Sequence, residues 1–521
     1  MWLRSRSLKH AVLATYIARG WSVAMGLAFI PVYMRAMGAE AFGLVGLFVM
    51  LQAVFFLLDV GLGSKLNHDF ARLIASSSPG QKFRDLLWTL EIPLWTAAIL
   101  GGAVILGVGP IVAARWLNVE ALSSRTLSLS VRLMGLILLF QLPMAFYAGG
   151  LLGLQRQVLY SALNATWYTL RFVGGAIVVL FVAPTPEAFF TWQLIVAVVI
   201  TTSTRLVLRH CLPPGECWPR WSWSLLVSHW EFTTGLGAIS LTALVLNQAD
   251  KLILSRLLPL KEFGYYTLAW SVAYGLKALS EPMFSALFPR LSYLVATGDS
   301  RQLSRTYHAT CQLVTVIVVP IGGFLTIFAP EIMVLWTRDP FAASQTRLLT
   351  EILALGNTLF GLVVVPSALQ LAHGWTSLNL GANIASIAIF APLLAVLTPW
   401  YGAAAAAWLW LLLNAGYVCV MIPVMHRRLL RGELWRWYVN DVGMSAIAAT
   451  LVLGLARIML SARLTPIATA CVLGGSLLAA LLSAVLASPL FWTWSQVCVH
   501  GGQRREIIGP WVRQNEYQPH Q

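Results

Sequence analysis

Charge is what this sequence has least of. Asp, Glu, Lys and Arg together make up 11 % of its 521 residues, whereas a soluble globular chain carries roughly 25 %. No stretch is polar enough to form a soluble domain. Cysteine is scarce as well, six in all and scattered, so no disulfide framework is expected. Cys211 and Cys217 fall in what reads as an inner loop and are expected as reduced thiols. With His210 they could be taken for metal ligands, but the spacing matches no common zinc pattern, and no metal site is expected. Catalytic signatures are missing too: there is no Gly-Lys-Ser/Thr phosphate loop, no His-Glu-x-x-His and no nucleophile elbow between strand and helix. Neither an enzyme nor a cofactor is expected. An ATP-driven pump would need a soluble nucleotide-binding portion, and the loops are too short to hold one.

What is abundant is apolar sequence. Residues of the AVILMFWYC set make up 58 % of the chain, and mean hydropathy is +0.74. Runs of about 20 apolar residues, enough to cross a hydrocarbon core about 30 Å thick, recur along the whole length. The spans read as 10–35, 42–64, 85–112, 129–154, 158–183, 188–208, 230–255, 263–289, 308–336, 347–371, 376–398, 401–425, 440–460 and 465–490. The expected fold class is therefore an all-α polytopic membrane protein with about fourteen transmembrane helices.

The net charge of +15 invites a nucleic-acid reading, but its placement argues otherwise. With the N-terminus in the cytoplasm, most Lys and Arg fall in the inner segments, which is the bias that sets membrane topology. Both termini are expected to be cytoplasmic, the chain multi-pass in the inner (plasma) membrane, and no nucleic-acid partner is expected. The richest inner clusters, Lys65/Arg72/Lys82/Arg84 and Arg427/Arg428/Arg431/Arg436, would face anionic membrane lipids. The opening Met-Trp-Leu-Arg-Ser-Arg is basic, but the apolar run behind it is of spanning length and contains Arg19. It is expected to stay as a helix rather than be cleaved.

Internal repetition is the next signal. Arg35-Ala-Met-Gly-Ala-Glu-Ala-Phe42-Gly43 joins the first two spans, and Arg256-Leu-Leu-Pro-Leu-Lys-Glu-Phe263-Gly264 joins the seventh and eighth. In each case Phe-Gly opens a long helix with an acid near its cytoplasmic end, Asp59 or Glu281. A basic loop follows, at Ala71-Arg72-Leu73 or Pro289-Arg290-Leu291. The offset of about 221 residues matches six spans plus a connecting loop. An even number of spans gives both halves the same orientation, about an axis along the membrane normal, with the site between them near the midplane. Two pseudo-symmetric six-helix lobes are expected, 1–210 and 230–425, joined by a cytoplasmic linker at 211–229. A basic cytoplasmic loop, 426–439, leads to two extra C-terminal helices within 440–490 and a cytoplasmic tail, 491–521.

Charges inside spans remain. Each costs on the order of 2.5–3.5 kcal/mol at a helix centre on insertion scales and needs a reason. Arg19 in span 1, Arg171 in span 5 and Lys277 in span 8 lie beyond easy snorkelling. Three deep cations spread over two lobes suit a cavity that receives an anion, and they are the candidate substrate-binding residues. The competing reading is that each pins helices together through a neighbour, and Lys277 and Glu281, at i and i+4, could neutralise one another. Asp250, beside Asn247, is a candidate cation or proton site or a helix-register contact. Lys251 next to it would face another side of the helix and leave it unsatisfied. Asp59, near the inner mouth of span 2, is followed by Gly61 and Gly63, which permit close helix approach, so a gate and plain packing both fit. Asp59, Asp250 and Glu281 are thus candidates for coupling or gating. For Arg132, Glu351 and Glu91, near span ends, snorkelling is expected.

These motifs together carry a resemblance. Gly38-Ala-Glu-Ala-Phe42-Gly43 followed by Leu57-Leu58-Asp59-Val60-Gly61-Leu62-Gly63 resembles the N-terminal region of Wzx-type polysaccharide-biosynthesis flippases. Those belong with the multidrug-extruding MATE transporters in the MOP superfamily. Gln248-Ala249-Asp250-Lys251-Leu252-Ile253-Leu254-Ser255, Phe263-Gly264-Tyr265-Tyr266 and Pro289-Arg290-Leu291-Ser292 resemble the equivalent later stretch. The resemblance implies two six-helix bundles facing each other across a V-shaped cavity and rocking between inward and outward openings. It also implies a lipid-linked glycan as cargo, an undecaprenyl-pyrophosphate oligosaccharide moved from the cytoplasmic to the outer leaflet. The extra pair of spans resembles that of longer members, lipid II flippases among them, although their N-terminal motif is absent here. The family does not transfer the cavity charges, so Arg19, Arg171 and Lys277 rest on depth alone.

Two functions stay in play. A flippase for a polyprenyl-pyrophosphate-linked oligosaccharide, serving cell-surface polysaccharide assembly, needs fixed cations in its path. A MATE-like ion-coupled exporter of cationic small molecules needs net negative charge. Deep cations here match or outnumber deep acids, which favours the flippase. A glycan polymerase would need a large outer loop or an acidic catalytic site, and the longest outer loops run to only about fifteen residues. A coupling cation or proton would supply any drive, and polysaccharide polymerase machinery is a candidate partner.

Overall fold

In hydrocarbon every backbone N–H and C=O must be satisfied within the chain, so apolar runs of this length form helices. The computed structural model describes residues 2–56, 61–76, 79–215, 217–460 and 465–492, and among these no strand occurs. The elements in chain order are α1 (Trp2–Met37), α2 (Ala39–Phe55), α3 (Leu62–Ala75), α4 (Gly80–Trp116) and α5 (Ser124–Gly153). Then come α6 (Gln157–Val182), α7 (Pro186–Cys211), α8 (Trp223–Leu257), α9 (Leu260–Thr297), α10 (Ser300–Ile327) and α11 (Ala329–Thr337). The last are α12 (Pro340–Ala372), α13 (Thr376–Tyr401), α14 (Ala403–Leu429), α15 (Leu434–Met459) and α16 (Pro466–Ala487).

Among the described residues, 11 helices are long and apolar enough to cross a membrane. The shorter apolar α2 and the 35- and 38-residue α8 and α9 occupy the places read as spans 2, 7 and 8. The chain is thus an all-α polytopic membrane protein, and the expected count of fourteen is approximate. Span 2 is divided between α2 and α3. The residues between them, including Asp59, lie outside the described residues.

Local chemistry sets the helix starts. The side chains of Ser123, Thr185, Asp299 and Thr465 accept from the backbone N–H three residues on, at 3.1, 3.3, 2.9 and 3.3 Å. Each satisfies a donor that the first helical turn would otherwise leave bare. Gly38, at φ +86°, lets α1 turn into α2 across a single residue.

Packing divides the chain into two units. Unit 1 comprises Met1–Val272, Trp336–Leu349 and Ser377–Leu409; unit 2 comprises Ala273–Leu335, Thr350–Thr376 and Trp410–Gln521. In unit 1 the two repeated Phe-Gly motifs meet. A Cβ on Gly43 would lie 2.4 Å from the Leu260 carbonyl oxygen, and one on Gly264 would lie 2.1 Å from that of Ala39. Only the absence of side chains allows α2 and α9 to cross this closely. The same end is tied by Leu260 N donating to Asn118 O at 2.9 Å and Arg256 Nη1 donating to Arg115 O at 3.0 Å. Pro31 inside α1 cannot donate to the Leu27 carbonyl, and Trp336 Nε1 supplies the missing bond at 2.6 Å. In unit 2 a core around Leu291, Tyr307, Val318, Leu369, Met425 and Trp437 joins α9, α10, α12, α14 and α15. A smaller core of Phe328, Ala449, Leu453, Ala480 and Ala484 seats α15 and α16. Its alanines let backbones approach closely, which is what holds helices together where lipid removes the hydrophobic drive.

Candidate functional site

Arg171 sits where α6 widens. Leu170–Gly174 adopts a π-type turn, a local expansion that recurs at functional sites. The carbonyls of that turn are taken up by side chains from neighbouring helices. Trp192 Nε1 donates to Leu170 O at 2.9 Å, Gln193 Nε2 to Arg171 O at 3.2 Å, and the Tyr33 hydroxyl to Phe172 O at 2.6 Å. Gly174 and Gly175 make room for these partners. A Cβ on the first would lie 2.3 Å from Trp192 Cζ2 and one on the second 2.9 Å from the Tyr33 hydroxyl. The backbone that carries Arg171 is therefore fixed from both α1 and α7.

The guanidinium itself is caged by rings. Its carbon lies 5.9 Å from the centroid of Phe48 and 5.7 Å from those of Trp167 and Phe172. Such contacts are worth about 0.5–2 kcal/mol each, but ring faces do not accept the in-plane N–H donors. Among the described residues no carboxylate pairs with Arg171. The sequence reading found this arginine from depth alone; the aromatic residues flanking it and the Gly174-Gly175 pair were the signals it did not use.

The other candidates stand apart from it. Arg19 is exposed on α1, within electrostatic reach of Tyr160 in the first turn of α6. That turn precedes Arg171 by about 16 Å of helix, so the two cations occupy different levels. In unit 2, Lys277 reaches Glu281 at 4.0 Å, the outer limit of an ion pair, and lies 5.1 Å from the Phe360 ring. Glu281 is 53 % exposed. The expectation that Asp250 and Lys251 leave each other unsatisfied is corrected. Lys251 Nζ lies 3.2 Å from both Asp250 oxygens, donates to Asn247 O at 3.1 Å and rests 3.9 Å from the Trp270 ring. The Tyr266 hydroxyl donates to Asp250 Oδ2 at 2.5 Å. Adjacent Cβ atoms do diverge on a helix, but a four-carbon stem pressed against an indole can fold back past one turn.

Residues 32–344, more than half the chain, match the family described as "Polysaccharide biosynthesis protein". The chain belongs to that family. Two solved structures share the fold. One is a lipid II flippase, MurJ, in an inward closed conformation, with TM-score 0.69 and 11 % identity over 94 % of this chain and 99 % of that one. The other is an inward-facing multidrug resistance MATE family transporter of the MOP superfamily, with TM-score 0.68 and 13 % identity over 78 % of this chain and 94 % of that one. No curated protein matches in sequence. This member of the polysaccharide biosynthesis family thus shares its helical fold with a flippase and a multidrug transporter.

One charged cluster of this family member escaped the sequence reading. Glu91 was expected to snorkel from the end of span 3. Its side chain is instead 3 % exposed, held by Arg205 Nε at 2.6 Å and Arg209 Nη2 at 3.0 Å. The Tyr147 hydroxyl also donates to it, and Trp95 Nε1 donates to that hydroxyl at 2.9 Å. The arginines lie on α7, more than 100 residues away in sequence, and nothing local to Glu91 announces them. With the Glu91 charge answered inside unit 1, this cluster has the character of a helix clamp rather than a cargo site.

Proposed function

We propose that this chain flips a polyprenyl-pyrophosphate-linked oligosaccharide from the inner to the outer leaflet by alternating access, for cell-surface polysaccharide assembly. The observation that carries the reading is Arg171, a deep cation whose neighbours are aromatic rings and whose backbone is fixed by three side chains. A pyrophosphate cannot cross hydrocarbon unless cations along the path match its charge. Arginine suits the task because its planar fork binds phosphate oxygens bidentately and keeps its charge when desolvated. Family membership supports the glycan, and the likeness to a lipid II flippase supports a fold suited to it. Arg19 and Lys277 are proposed as further substrate-binding cations, and Asp59, Asp250 and Glu281 as coupling or gating groups. The inner (plasma) membrane is the proposed location, with both termini cytoplasmic and polysaccharide polymerase machinery as a partner. A MATE-like exporter of small cations fits a caged arginine poorly, because that site repels its cargo.

The test is replacement of Arg171. Two charge-assisted hydrogen bonds at about 1.5–3 kcal/mol each give an expected loss of at least about 100-fold in flipping for Arg171→Ala. Removing an unpaired cation from mid-membrane should leave abundance unchanged or raise it. Arg171→Lys should keep part of the activity, since charge survives and the fork does not. Normal flipping of a fluorescent polyprenyl-pyrophosphate sugar by Arg171→Ala in vesicles would refute the cationic path.

A further inference from the structure

Unit 2 buries a histidine between two acids. Ser304, His308 and Gln312 recur every four residues along α10 and so share one face. Glu433, the residue before α15, accepts from Ser304 Oγ at 2.7 Å and meets His308 Nε2. Asp441 meets His308 Nδ1 and accepts from Gln312 Nε2 at 2.8 Å. Asp441 lies in another π-type stretch, Trp437–Gly443. Gln312 Oε1 then accepts from Ser488 Oγ at 3.1 Å and Leu490 N at 2.8 Å, so the polar string ends just past α16. The side chains of His308 and Asp441 are 2 % and 0 % exposed, while that of Glu433 is 30 % exposed. The string is thus partly exposed at Glu433 and fully buried at Asp441.

A neutral imidazole donates from one nitrogen only, and its other lone pair would repel a carboxylate. An acid oxygen on each ring nitrogen is the arrangement that a ring donating from both nitrogens would satisfy. Arg436, 4.0 Å from Glu433, is the added cation. The remaining titratable neighbours are Tyr307 and Cys311 on α10 and His426 on α14. The end of α16 contributes the Ser488 hydroxyl and a backbone N–H. Burial pushes the Glu433 carboxyl up, but hydrogen bonds from Ser304 and His308 and the charges of His308 and Arg436 outweigh it and hold it below the ordinary value.

We propose that His308, with Asp441 and Glu433, is the proton-binding site that couples this transporter to a proton gradient, which leaves gating to Asp59, Asp250 and Glu281, an inference that rests on the flippase reading above. In the loaded state the extra proton is on the ring, which bonds both acids. Unloading passes the Nε2 proton through Glu433 to water and leaves a neutral ring that keeps its Nδ1 proton and donates it to Asp441. The bare Nε2 lone pair then repels the Glu433 carboxylate and frees the turn that joins α14 to α15. A buried clamp with no coupling role would hold the same helices but would not respond to a gradient.

The test uses the full-length chain in phosphatidylcholine–phosphatidylglycerol vesicles. The probe is a fluorescent polyprenyl-pyrophosphate N-acetylglucosamine, with the membrane potential clamped by valinomycin and potassium. A one-unit pH gradient should bias the label between leaflets up to tenfold, the limit for one proton per cycle. His308→Gln and Asp441→Asn should lose that bias. The second readout needs no cargo. In purified wild type labelled with ¹⁵N-histidine, the His308 ring, assigned by its loss in His308→Gln, should show a proton on both nitrogens in the loaded state. Wild-type flipping that ignores the gradient, or a bias that survives in either variant, overturns the proposal and leaves the flippase reading standing. A wild type that moves no label removes the flippase reading instead, and a singly protonated ring then overturns the proton site independently.

Discussion

The crossing of α2 and α9 offers a perturbation whose size can be worked from the structure. A Cβ on Gly264 would lie 2.1 Å from the Ala39 carbonyl oxygen, whereas ordinary contact begins near 3.4 Å. Gly264→Val must therefore part the helices by about 1 Å at that point, an overpacking cost of about 1–3 kcal/mol. If this crossing closes one end of unit 1 and must open during transport, the closed form loses that amount while an open form does not. The open-to-closed ratio should then rise by about 5- to 150-fold. The assay is the reaction rate of a single cysteine at Thr267, whose hydroxyl lies 2.3 Å from where a Cβ on Gly46 would be. It is read with a membrane-impermeant thiol reagent in intact cells, in a background lacking the native cysteines. Gly275, around which a Cβ meets nothing within 4 Å, gives the control, and Gly275→Ala should leave the rate unchanged. If Gly264→Val protein is normally abundant and Thr267→Cys reacts no faster, the crossing is static and the reasoning fails.

Two further predictions follow from charge. Single cysteines replacing Arg72, Arg301 and Arg428 should resist an impermeant reagent in intact cells, while those replacing Arg125 and Arg338 should react; the reverse pattern would overturn the orientation drawn from charge bias. Glu91→Gln should lower the melting temperature of the purified protein, because Arg205 and Arg209 lose their shared acid. Since those arginines are 36 % and 41 % exposed, solvent reduces the loss to about 1–3 kcal/mol. Adding Arg205→Gln should recover part of it, and an unchanged melting temperature for Glu91→Gln would show that the cluster is not a clamp.

Composition and hydropathy alone determined that this chain is an all-α membrane protein, because the bilayer leaves a long apolar segment no other backbone solution. The paired Phe-Gly motifs were also legible, since repetition is a property of sequence order, and Arg171 could be picked out by a residue count along its span. Contact was not. That Gly43 and Gly264 lie against the same crossing, that Phe48 from α2 joins Trp167 and Phe172 around Arg171, and that Trp336 answers the carbonyl freed by Pro31 all depend on which helix faces which. Periodicity gives a helix its faces but does not name the partner of each face. Side-chain reach was lost for the same reason: Lys251 folds back onto Asp250 because Trp270 supports its stem, and Glu91 stays buried because two arginines of α7 converge on it. The His308 cluster is the extreme case, with members 125 and 133 residues apart. Each of its two ring nitrogens meets an acid, a distance of a few ångströms that only tertiary packing decides.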